Sequence, residues 1–124
     1  CDQCHEGLNF TTNAYHNIGI GMDKPDPDVG RFTVTKNPAD WGAFKTPTLR
    51  EIANTAPYMH DGSLKTLDEV IEYYDKGGNP NRNLDEKLKP LKLTDQEKKD
   101  LVAFLNALSG EGWQNGGIPT EFPQ

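Results

Sequence analysis

Apolar positions repeat with a helical period mainly in the second half of this chain. Leu67, Val70, Ile71 and Tyr74 fall at i, i+3, i+4 and i+7, one inward face of a helix. Thr66 with Glu69 three residues later makes a capping box at its start, and Gly77 and Gly78 stop it. Tyr73 lies about 100° round that helix from Tyr74, which points it toward the polar side. A second capping box, Thr94 with Glu97, opens the longest predicted helix; Leu101, Val102, Leu105 and Leu108 form its core stripe with Phe104 beside them, and Ser109-Gly110 ends it. A shorter helix is expected from Pro47, capped by Thr46, with Leu49, Ile52 and Ala53 as its apolar face and Pro57 as its end. A helical turn is expected around Leu84 to Leu88.

The first half reads differently. Residues 6 to 46 carry Gly7, Gly19, Gly21 and Gly30, an acidic turn between Pro25 and Pro27, and one short β-branched alternation, Arg31 to Thr35, that predicts a strand. A loop of this length in a compact domain is functional or wraps a ligand. The 124 residues make one domain, only 34% hydrophobic, with twelve glycines and nine prolines, so the core is thin. The net charge of −6 disfavours nucleic acid and anionic membrane as partners, and no apolar run reaches the roughly 20 residues of a membrane span.

Candidate chemistry sits at the start of the chain. In Cys1-Asp2-Gln3-Cys4-His5, two thiols and an adjoining imidazole have the c-type haem attachment spacing: each Cys adds to a vinyl group through a thioether, and His5 ligates iron. Zinc needs about four closed ligands, and only His16 and His60 remain to complete a set. A thioredoxin-like pair needs a βαβ context that is missing here, and a Cys1–Cys4 disulfide would leave His5 unexplained. Haem attachment implies export from the cytoplasm, hence a periplasmic or otherwise extracytoplasmic location. His16 and Met22 could in principle reach iron, but the plainer expectation is a surface or propionate-side role for His16 and packing for Met22.

The run Phe44-Lys45-Thr46-Pro47-Thr48-Leu49-Arg50, then Thr55-Ala56-Pro57-Tyr58-Met59-His60-Asp61-Gly62 and Leu67-Asp68-Glu69-Val70, resembles the C-terminal haem domain of bacterial di-haem cytochrome c peroxidases and MauG. The likeness runs from Cys1 to about Gly110. It implies an all-α, class I-like cytochrome c domain over residues 1–110 with a long haem-wrapping loop and an irregular tail at 111–124. It also implies a six-coordinate, electron-transferring haem, with the peroxide-binding haem on an N-terminal domain this sequence lacks. The helix that ordinarily precedes the attachment motif is missing too, so the chain is expected to be part of a longer polypeptide.

Fourteen positions after the His of the Tyr-Met-His-Asp-Gly loop, the resemblance implies Met in the peroxidases and Tyr in MauG-like enzymes; here it is Tyr74. Met59 is the rival distal ligand, and a core aromatic is the structural alternative for Tyr74. His60 and Arg50 are expected near the haem propionates. A calcium ion is implied between the two haem domains, taking the backbone carbonyls of Thr55 and Pro57. The expected function is electron transfer to or from a second haem, with an electron-donor or substrate protein as a further partner and no catalytic acid, base or nucleophile in the chain. A free-standing mono-haem shuttle is the alternative.

Overall fold

The computed structural model describes residues 1–111; the expected tail lies outside the described residues beyond Glu111. Its elements run β1 (Tyr15–His16), α1 (Phe32–Thr35), β2 (Phe44–Lys45), α2 (Leu67–Asp75) and α3 (Asp95–Ala107), with one-turn 3-10 helices at Pro38–Asp40 and Ile52–Asn54. Regular structure is thus mostly helical, but β1 and β2 pair antiparallel, Tyr15 with Lys45 and His16 with Phe44, so the all-α expectation holds only loosely.

Both long helices start as their capping boxes dictate. The Thr66 and Thr94 hydroxyls accept from the Glu69 and Glu97 N–H groups, and each glutamate carboxylate accepts from its cap's N–H in return. Gly77 and Gly78 close α2 at φ +89° and +76°, their N–H groups reaching the Tyr74 and Tyr73 carbonyls. The helices pack on each other through Leu67, Val70, Ile71 and Leu105, with Tyr58 completing the buried cluster and Leu101, Val102 and Leu108 flanking it. Phe104 lies outside that stripe, half exposed and edge-on to Phe10.

Three local expectations are corrected. Phe32–Thr35 is a helical turn and not a strand, because Arg31 bonds to the Ala43 carbonyl, Phe32 packs on Trp41, and Lys36 closes the turn in the left-handed region. No helix begins at Pro47. Thr46 N–H bonds instead to the Ala14 carbonyl, continuing the β ladder, while the Thr48 hydroxyl donates to the Asn9 carbonyl and Arg50 to that of Leu8; only Ile52–Asn54 turns helically. Leu84 to Leu88 holds separate hydrogen-bonded turns, as the Asp85 N–H is taken by the distant Asn17 carbonyl.

Tyr73 is also corrected. It is 6% exposed, while Tyr74 is only half-buried. Gly19 lies so close to Asn79 that a side chain there would collide with its backbone, and this contact seals a polar layer over the second side of α2.

Candidate haem site

Residues 1–5 form one tight turn, with the Cys4 and His5 N–H groups both donating to the Cys1 carbonyl. That puts two free thiols and the imidazole on a shared stretch of backbone. His5 Nδ1 lies 2.9 Å from the Phe10 carbonyl. A carbonyl can only accept, so Nδ1 carries the proton and Nε2 keeps its lone pair for a metal, the tautomer a proximal ligand needs. Burial lowers the His5 pKa against the opposing pull of the Phe10 carbonyl, which keeps the ring neutral. Burial also raises that of Cys4, partly offset by Lys87.

Tyr74 projects from the last turn of α2 against the buried cluster, and its hydroxyl has no hydrogen-bond partner among the described residues. Burial pushes its phenol up to about 12, with smaller contributions from Tyr73 and Cys4. Met59 also packs on the cluster, from a turn where its φ is +72°. His60 is exposed, stacked on Phe44 at 3.7 Å between centroids. The exposed Arg50 is committed to the chain: Nε donates to the Leu8 carbonyl at 3.0 Å and the guanidinium lies 5.3 Å over the Phe10 ring. The Thr55 hydroxyl donates to the Ile52 carbonyl, while the Thr55 and Pro57 carbonyls accept no hydrogen bond among the described residues.

His16 is not a surface residue. Its side chain is 10% exposed, Nδ1 pairs with Asp85 Oδ2 at 2.6 Å, and Nε2 is buried without a partner among the described residues. Met22 does pack, with its sulfur beside Gly42.

Sequence reasoning missed a polar network behind the site. Asn17 Nδ2 donates to the Trp41 carbonyl at 2.8 Å and to Asn81 Oδ1 at 3.0 Å, and its Oδ1 accepts from the Gly19 N–H and Asn81 Nδ2. The signal was there in Asn-Ile-Gly followed by Gly-Asn-Pro-Asn, but turn residues do not say which loop they face.

The residues fit a covalent haem: two unbridged thiols, a neutral imidazole whose Nδ1 is held by a backbone carbonyl, and a second ligand candidate on an apolar face. A family model for cytochrome c matches residues 1–109. The chain is 52% identical over 137 residues to the cytochrome-c peroxidase IdrP2 of Denitromonas iodatirespirans, covering 90% of this chain and 36% of that protein. It is 41% identical over 113 residues to the methylamine utilization protein MauG of Methylorubrum extorquens, covering 90% and 31%. A solved structure of a MauG-like protein associated with microbial copper homeostasis superposes with a TM-score of 0.80 at 36% identity, over 90% of this chain and 42% of that one. The chain therefore belongs to the cytochrome c family, in the branch of the di-haem cytochrome c peroxidases and MauG. Membership implies a covalent haem c. The chain spans about a third of the length of these curated relatives, and no helix among the described residues is long and apolar enough to cross a membrane.

Proposed function

We propose that this chain is the electron-transfer domain of a MauG-like or peroxidase-like di-haem enzyme working outside the cytoplasm, relaying electrons to or from a second haem carried by a neighbouring domain. Haem c would be fixed by Cys1 and Cys4 and ligated by His5 and Tyr74, and would supply the one-electron couple. The observation that carries this reading is the His5 Nδ1 contact with the Phe10 carbonyl, which commits the ring to presenting Nε2. Thr55 and Pro57 offer calcium two carbonyls that accept no hydrogen bond among the described residues, with the remaining oxygens coming from outside this chain.

The protein's own part is to tune. His5 is held neutral and oriented. Tyr74 is set in an apolar place where ionising a phenol of pKa about 12 at pH 7 costs roughly 7 kcal/mol, so only a strong positive charge can claim it as phenolate. Such an anionic oxygen favours ferric over ferrous iron and makes a low-potential centre, whereas Met59 sulfur would raise the potential.

The test is a pair of substitutions in the haem-loaded protein. Tyr74→Phe is expected to change the ferric absorption spectrum, and Met59→Leu to leave it nearly unaltered. The reverse outcome makes the centre a His/Met one and overturns the MauG-like ligation. Intact mass of the native polypeptide separates the enzyme domain from a free-standing shuttle: two haems per polypeptide against one.

A further inference from the structure

The adjacent tyrosines at the end of α2 are held in different ways. The Tyr74 hydroxyl has no hydrogen-bond partner among the described residues. Tyr73 OH donates to the Ile18 carbonyl at 2.7 Å and accepts from the Asn79 N–H at 3.1 Å. Its ring meets that of Tyr74 edge to face, centroids 5.9 Å apart and planes at 87°. A ligand must be held to the ~0.5 Å that a preorganised site requires. Gly77 and Gly78 close the backbone of this last turn on the Tyr74 and Tyr73 carbonyls, and Tyr73 adds a side-chain tie to segments outside the helix. Its hydroxyl ties that turn both to the loop following β1 and to the chain reversal at Gly77-Gly78, and those two segments touch each other where Gly19 meets Asn79.

We infer that Tyr73 is a positioning residue for the sixth iron ligand: pinned at its hydroxyl by Ile18 and Asn79, it fixes the ring against which Tyr74 is oriented. The inference rests on Tyr74 being that ligand.

Tyr73→Phe in the haem-loaded, full-length polypeptide keeps the ring and removes both bonds. Imidazole competing for the ferric sixth position is expected to bind about 5- to 30-fold faster, the scale set by losing one to two hydrogen bonds, and the low-spin electron paramagnetic resonance lines to broaden. Wild-type imidazole rates and linewidths in Tyr73→Phe overturn the proposal. Tyr74→Phe in the same series keeps the two failures apart: an unchanged ferric spectrum there removes the ligand itself, whereas a changed one beside a silent Tyr73→Phe removes only the pin. If Tyr73→Phe does not fold with haem, 3-fluorotyrosine at position 73 takes its place. A stronger donor to Ile18 and a weaker acceptor from Asn79, it should change the imidazole rate, and an unchanged rate overturns the inference.

Discussion

The attachment half of the chain, residues 1–65, and the helical half, 66–110, are held together by opposite means. In the helical half Leu67, Val70, Ile71 and Leu105 bury apolar area, and Lys98 clamps the outside by reaching Glu72 and Asp75 at 2.8 and 2.9 Å. In the attachment half, outside the Tyr58 region, the most enclosed residues include two polar ones, Asn17, bonded through its side-chain amide, and Thr46, bonded through its backbone N–H and carbonyl, to segments far away in sequence. Apolar area is tolerant of small shifts; a buried amide with four partners is not. The division suits the proposed work: the helices provide cohesion, and the directional bonds set the loops beside a ligand.

Substitutions at the centre of each half sharpen that contrast. Asn17→Leu strands the Trp41 carbonyl, the Gly19 N–H and the Asn81 amide, and should lower stability by about 3–4 kcal/mol in urea unfolding while also disturbing the haem spectrum. Leu105→Ala should cost about 2–3 kcal/mol by leaving a cavity, with the ferric spectrum intact. A Leu105 variant that perturbs the spectrum as much as the Asn17 one would erase the distinction. Thr94→Ala, removing one cap of α3, should cost about 1 kcal/mol in the same titration.

The smallest effect is set by pH. Burial alone would raise the Asp61 pKa, but Ser63 and Lys24 outweigh it and bring it down to about 2. A carboxyl depressed in the folded state stabilises fully above its ordinary value of about 4 and loses that contribution as pH falls through about 2. Melting temperatures of wild type and Asp61→Asn should therefore converge between pH 4 and pH 2 and run parallel above.

The same contrast explains what could be read from the amino acids. The helices were legible because Thr66/Glu69, Thr94/Glu97 and the apolar stripe all act within a few residues. Cys1, Cys4 and His5 could be read as a candidate attachment site because attachment chemistry imposes a fixed local spacing. Tyr73 was misjudged because periodicity sees one covering partner, and the second side of α2 is covered by loop 18–20, more than fifty residues away. Arg31 to Thr35 failed for the same reason: β-branched alternation describes a strand only where another edge is available to pair with it. His16 looked like a surface residue because nothing near it in sequence announces Asp85.

Asn17 also has a kinetic side. Its amide, its carbonyl and its neighbour Gly19 join residues 17–19, 41 and 79–85 at one point, spanning sequence separations of more than sixty residues. Such a closure forms late, after the local helices, because its loops must be gathered before any bond rewards them. The Gly19, Asn79 and Asp85 amides are therefore expected to share one opening free energy in native-state hydrogen exchange, distinct from those of α2 and α3, as a folding unit contiguous in space and scattered along the chain would.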